Sequence, residues 1–200
     1  MTANPSVVCH PTVSLDGFVA GPRQTLENPL GEGAERLHRW MFEDAEANQD
    51  EVAELVASDA FIMGRNMFGP IRGEWTGDWR GWWGDEPPYH APVFVLTHHP
   101  RDPLVMQGGT TFTFVTDGIE SALEQAKAAA GGGQVAIAGG ASTVNQYLRA
   151  GLVDEIWLAV APVVLGSGER LFEDVGDLAL EPIAARHTRY AMHLKYRVVR

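Results

Sequence analysis

The chain reads as an α/β protein: a three-layer α/β/α sandwich around a mixed, mostly parallel sheet with an antiparallel C-terminal edge. Three observations predict this. Short apolar runs alternate with segments of helical periodicity from Val7 to Val160, the pattern of βαβ units with parallel strands. Small or polar residues follow three of those runs, as where strand ends open onto a ligand. From Leu178 onward two strand-like runs follow one another without a long helix between them, which makes that edge antiparallel.

The elements follow in order. Val7 to Val13 is a strand that ends at the turn Ser14-Leu15-Asp16-Gly17. The stretch from Ala20 to Gly33, rich in Gly, Pro and Asn, is loop. Helical segments lie around Ala34 to Phe42 and Gln49 to Ala57, the second with Val52, Leu55 and Val56 on one face. Ala60 to Met63 is a short buried strand running into Gly64-Arg65-Asn66, and Gly69 to Ala91 is irregular and carries Trp75, Trp79, Trp82 and Trp83. Pro92 to Leu96 is a strand closed by Thr97-His98-His99-Pro100, and Thr111 to Val115 is another. Ile119 to Ala130 is an amphipathic helix with Ile119, Ala122, Leu123 and Ala126 on one face. Gln134 to Ala138 is a strand and Gly139-Gly140 its turn. Ala141 to Ala150 is a helix with Val144, Tyr147 and Leu148 inward, stopped by Gly151. Ile156 to Val160 is a strand, and the last strand runs from about Tyr190 to Val199.

With 200 residues and no shift of composition, residues 1–200 form one domain. The net charge of -11, with 15 Lys and Arg scattered along the chain, argues against a nucleic-acid partner. No run approaches the roughly 18 apolar residues of a membrane helix, and Met1 to Pro5 has no secretory pattern, so the expectation is a cytoplasmic protein off the membrane. A single cysteine, Cys9, leaves no internal disulfide and no multi-cysteine metal site, and no metal is expected. The zinc-deaminase, P-loop, H-E-x-x-H and G-x-S-x-G patterns are absent.

Chemistry gathers at the three strand ends. In Gly139-Gly140-Ala141-Ser142-Thr143 two glycines let the backbone approach a ligand, and the helix start offers N–H groups to a phosphate. The plainer alternative is a tight turn with Ser142 as a cap. Gly64-Arg65-Asn66 supplies an arginine suited to a phosphate, or simply a surface arginine paired with an acid. In Thr97-His98-His99-Pro100-Arg101 the adjacent histidines point to opposite sides, so one of them, with Arg101, faces an anion or both are solvated. The tryptophan segment is either a lid over a planar substrate or a loop packed on the core or on a second subunit.

In their order these motifs resemble the dihydrofolate reductase superfamily: Val13-Ser14-Leu15-Asp16-Gly17-Phe18-Val19-Ala20, Ile62-Met63-Gly64-Arg65, Val95-Leu96-Thr97 and Ile137-Ala138-Gly139-Gly140. More closely, the chain is similar to the reductase half of the bacterial riboflavin-biosynthesis deaminase/reductase, the RibD C-terminal family. Pro162-Val163-Val164-Leu165-Gly166-Ser167-Gly168 followed by Leu171-Phe172 resembles that family's late motif. The resemblance spans about Val7 to Val199 and implies NADPH as cofactor and a homodimer. It carries the pyrophosphate site to Gly139, Gly140, Ala141, Ser142 and Thr143, and the Met-Gly-Arg turn to Gly64, Arg65 and Asn66. The adenosine 2′-phosphate falls to Leu96, Thr97 and His98, and the mobile loop over the nicotinamide to Ala20 and Gly21. Asn66-Met67 departs from the threonine many relatives carry there, and Glu35, Glu43, Asp44 and Asp50 stand near the folate-type carboxylate without a marking motif.

The resemblance further implies hydride transfer from NADPH to a C=O or C=N carbon of a small substrate, with Asp16 at the substrate side and the proton from Asp16 or a bound water. Asp16 is equally a turn aspartate bonded to its own backbone. The alternative function is a non-catalytic module that holds a nucleotide or small ligand.

Overall fold

The computed structural model describes residues 5–70 and 73–199. Its central sheet begins with one strand broken in two, β1 (Val7–Cys9) and β2 (Thr12–Ser14). Both halves run parallel to β9 (Glu155–Ala161) in continuous register, Cys9 opposite Ile156 and Thr12 opposite Ala159. The break falls at His10-Pro11, because proline has no N–H for a ladder. β4 (Ala60–Gly64), β5 (Pro92–Leu96), β7 (Thr111–Val115) and β8 (Val135–Gly139) complete the parallel part. Every residue of β4 is buried, as an apolar run covered on both faces of a parallel sheet requires.

β11 (Ala179–His187) and β12 (Met192–Val199) form the antiparallel edge, and the short β6 (Leu104–Val105) pairs antiparallel with β7 at the other. The sheet order is β11-β12-β9-β1-β8-β4-β5-β7-β6. A separate two-stranded ribbon joins β3 (Phe18–Ala20) to β10 (Glu169–Arg170).

Helices cover both faces. α4 (Ile119–Ala130) buries Ala122, Leu123 and Ala126, and α5 (Ala141–Arg149) buries Val144, Tyr147 and Leu148. Both pack over Cys9, Ile62 and Ile137, and the Tyr147 hydroxyl donates to the Ile119 carbonyl at 2.7 Å. The opposite face carries the short α1 (Arg39–Phe42), α2 (Gln49–Glu54) and α3 (Arg65–Phe68).

Two readings of the sequence change in detail. The segment at 34–42 is a 3-10 turn (Ala34–His38) running into α1, and the one at 49–57 is α2, which follows a 3-10 turn (Glu46–Asn48) and stops at Glu54. Their apolar residues are too few for a long buried stripe, so the last turn tightens, with Val56 N–H bonding to the Ala53 carbonyl at 3.2 Å. Arg65 and Asn66 open a helical turn directly after β4.

Candidate active site

β8, β4 and β5 are neighbours, so their C-terminal ends form one rim. The register puts Gly139 opposite Met63, and Gly64 opposite Leu96. Gly64, Arg65, Leu96, Thr97, Gly139 and Gly140 thus come together, with Ala141, Ser142 and Thr143 following at the start of α5.

Local packing explains the residue types. Gly139 has φ +134°, a conformation strained for any side chain, and a Cβ there would stand 3.2 Å from the Met67 sulfur. A Cβ on Gly64 would collide with Thr143 Oγ1, so this glycine lets α5 start directly against β4. Gly140 meets nothing within 4 Å: its Cα faces open space at the rim. The Gly139–Gly140 peptide is cis. Gly140 O accepts from the Thr143 and Val144 amides, both at 3.1 Å, and no side chain caps α5. The helix start therefore keeps its positive end for an external acceptor. Ser142 is exposed there, whereas Thr143 is buried.

On the β5 side Thr97 Oγ1 accepts from the His99 amide at 3.1 Å and fixes the turn. His98 is exposed, while His99 turns back to Glu74 at 3.0 Å; both lie in a bend after β5 rather than on extended chain. Arg65 stacks on Trp75, its guanidinium carbon 3.9 Å from the ring centre, and Arg101 lies 5.1 Å from the same ring. Arg101 Nη1 is shielded and has no hydrogen-bond partner, and burial lowers the guanidinium pKa. Trp75 Nε1 donates to His99 O at 2.8 Å, Trp79 Nε1 to Phe68 O at 2.9 Å and Trp82 Nε1 to Met67 O at 3.0 Å. Between the two earlier readings of this segment, lid or packed loop, the tryptophans are fastened onto α3 and the rim. The aromatic hold on Arg65 and Arg101 had no signature in the sequence.

The rim has a second side. β1 pairs with β8 only as far as Cys9 opposite Ile137; β8 then bulges toward β4, while β2 continues along β9. A crevice opens between β2 and the Gly139–Gly140 turn. The Pro11 carbonyl accepts from the Ala159 amide at 3.1 Å and so faces β9. Strand alternation then turns the N–H and C=O of Thr12 toward the crevice. Thr12 was not singled out from the sequence, because a backbone edge leaves no residue signature.

Asp16 and Ala20 belong to this second side. The Asp16 carboxylate accepts from Ser14 Oγ (2.7 Å), Leu165 N (3.0 Å) and Gly166 N (2.7 Å). Those bonds, the Ser14 hydroxyl first, bring its pKa down to about 2. Ala20 pairs with Glu169 in the ribbon, and Gly21 N–H bonds to the Leu30 carbonyl at 2.8 Å. Asn145 of α5 bolts the ribbon to the rim: its Nδ2 donates to Arg170 O and its Oδ1 accepts from Phe172 N, both at 3.0 Å. An open cleft of about 510 Å³ runs between the start of α5 and this ribbon, lined by Ser142, Asn145, Gly168 and Arg170 among others.

This is an α/β sandwich in which neighbouring parallel strands split at their C-terminal ends, the place where such sheets commonly hold ligands. The chain belongs to the RibD C-terminal domain family, whose model matches residues 5–196. It is 25% identical over 167 residues to the uncharacterized protein YyaP of Bacillus subtilis, covering 82% of this chain and 78% of that one. Its fold is that of a putative riboflavin biosynthesis protein from Shewanella (TM-score 0.65, 22% identity, 98% of this chain and 99% of the other). It is also that of a dihydrofolate reductase from Enterococcus faecalis complexed with NADP(H) (TM-score 0.54, 14% identity, 99% of both chains). A diaminohydroxyphosphoribosylaminopyrimidine deaminase/5-amino-6-(5-phosphoribosylamino)uracil reductase of Thermotoga maritima matches with TM-score 0.60 at 14% identity over 98% of this chain, which spans 57% of that longer one.

Proposed function

We propose that the chain is an NADPH-dependent reductase acting on a C=O or C=N group of a small substrate of the pyrimidine or pteridine kind found among riboflavin precursors. One observation carries this reading: three neighbouring strand ends and an uncapped helix start share one rim, beside the crevice. The residues present fit the dinucleotide. The open space at Gly140 admits a pyrophosphate against the α5 amides, with Ala141 and Ser142 leading the helix. Arg65, held by Trp75, and the Thr97-His98 turn supply cation and donors for the adenosine phosphate. The Thr12 N–H and C=O match the acceptor and donor of a carboxamide.

When bound, NADPH supplies the hydride. The chain's own part is to orient and to exclude water. The β3–β10 ribbon, with Ala20 and Gly21, closes one wall of the crevice. Asp16 holds that wall by fastening residues 165–166, and because it is ionised at neutral pH the proton reaches the product from water.

Titration with NADPH and with NADH, followed by tryptophan quenching, tests the cofactor site. Micromolar NADPH binding with much weaker NADH binding is expected; binding of neither overturns the reading. Steady-state NADPH oxidation with a panel of carbonyl and pteridine compounds then tests catalysis, and tight binding without turnover would leave the non-catalytic module. The homodimer carried by the family resemblance belongs to the same proposal, and light scattering reads it directly.

A further inference from the structure

The sheet face that carries α1 and α2 is covered unevenly. Asn48 is fully buried: its Nδ2 donates to Asp44 O at 2.7 Å, which leaves Oδ1 to accept from His193 Nε2 at 2.8 Å. Ser58 is buried as well, and its hydroxyl donates to Gln134 Oε1 at 2.8 Å. Between these two fixed points, over residues 49–57, no residue is buried. α5 buries six of its nine residues by comparison, so the two covers of the sheet are held by different forces.

The segment 49–57 meets the sheet in two ways. Val52 and Leu55, three apart on α2, rest half-buried against Trp40, Ala159 and Ala191. Glu51 and Glu54, also three apart, reach the antiparallel edge: Glu51 pairs with Arg186 of β11, and Lys195 of β12 donates to Glu54 Oε1 at 2.5 Å. The match of charge is wider than these pairs. Residues 43–54 carry Glu43, Asp44, Glu46, Asp50, Glu51 and Glu54 and no Lys or Arg. Residues 186–197 carry Arg186, Arg189, Lys195 and Arg197 and no acid. Asp50 adds to the attraction on Arg186, and Arg189 to that on Glu43.

Both latching pairs are open to solvent on one side, with Arg186 51% and Glu54 37% exposed. Pairs of this kind are weak one by one and are screened by salt. Beneath them lies a small cavity of about 30 Å³, lined by Glu51, Glu54 and Leu55 from this segment and by His10, Trp40 and Ala159 among its other walls. Ala159 is the register partner of Thr12.

We propose that residues 49–57 form an ionic strap, which lifts off β11 and β12 as one unit while the rest of the fold stays closed, and whose lifting opens the cavity to solvent. Glu51–Arg186 and Glu54–Lys195 are its latches, and Asn48 and Ser58 its hinges. Lifting removes no buried residue from the core, so it costs far less than unfolding, and the part that is ionic makes the open fraction rise with salt. None of these residues belongs to the proposed cofactor rim, and the strap stands apart from the reductase reading.

Hydrogen exchange of the intact protein, read by mass spectrometry, tests the strap. The amides of Leu55, Val56 and Ala57, which bond to carbonyls within the strap, report its opening, and peptides from α5 and β12 serve as references. Labelling is done at about 10 mM and about 1 M NaCl, where charges are screened over about 30 Å and about 3 Å. The strap is expected to exchange ahead of both references at either salt, and about 3- to 10-fold faster at the higher salt while α5 keeps its rate. Glu51→Gln with Glu54→Gln, which keeps the side-chain shapes and removes the charges, should exchange fast at low salt and lose the salt response. Lys195→Met releases the Glu54 latch alone and stands in if the double variant does not fold. Exchange of the strap in step with α5, a strap rate indifferent to salt, or a charge-neutral variant that behaves as the parent overturns the proposal. Salt acceleration shared equally by α5 and β12 overturns it as well, because it reads the whole fold rather than the strap.

Discussion

Asp16 illustrates how a residue's surroundings limit its chemistry. With three donors on its carboxylate and a pKa of about 2, it stays ionised across the neutral range. Its folded pKa lies below the unfolded value of about 3.9, so its contribution to stability is complete above that value and fades as the pH falls toward 2. Asp16→Asn should therefore melt a few degrees lower than the parent at pH 7, and the gap should close as melts are repeated toward pH 2. His10 and His38 are governed by the opposite charge. Burial, aided at His10 by Lys195, pushes both down to about 4, so each ring is neutral when folded and binds a proton when unfolded. Between about pH 6.5 and 4 the unfolded state holds more protons, and stability falls with falling pH by at most about 3 kcal/mol per ring. Both rings keep some solvent contact, which reduces that figure. Chemical denaturation across this range should show the loss, and His10→Phe should lessen it.

At the scale of elements, the start of α5 separates fold from ligand. Gly64→Ala places a methyl against Thr143 Oγ1 and should cost about 1–3 kcal/mol by pushing α5 off β4. Gly140→Ala meets only open space, so its stability should stay within about 0.5 kcal/mol of the parent. The added methyl enters the rim where the pyrophosphate is proposed, and NADPH affinity should fall about tenfold or more. Melting curves and fluorescence titrations of the two variants check this contrast. Asn145→Ala removes both bonds between α5 and the ribbon, and denaturation should read a loss of about 1–3 kcal/mol.

Across the whole molecule, one strand organises the site. β1 and β2 run unbroken in register beside β9, yet only β1 keeps β8 as its other neighbour. The split puts the proposed cofactor rim on one side of Thr12 and the cavity beneath α2 on the other. Glu51, at that cavity, was not among the acids the sequence brought forward, because nothing local distinguishes it from Asp50 beside it. What singles it out is burial against β12 and the pairing with Arg186, 135 positions away. No helix among the described residues is long and apolar enough to cross a membrane.

The periodicity of short apolar runs and helical segments determined the α/β class, the parallel centre and the antiparallel end, because burial on both faces of a sheet dictates those patterns locally. Glycine pairs and small residues after strands likewise marked the rim, since close backbone approach excludes side chains at Gly64 and Gly139 whatever the rest of the chain does. Tertiary structure alone decided which strand ends are neighbours, that the Trp75 ring holds Arg65, and that Thr12 offers its backbone to the crevice. It also decided that His10, Trp40 and Glu51 share one cavity. Contacts of that kind join residues far apart in the chain, and their energies depend on burial and register, which no local pattern encodes.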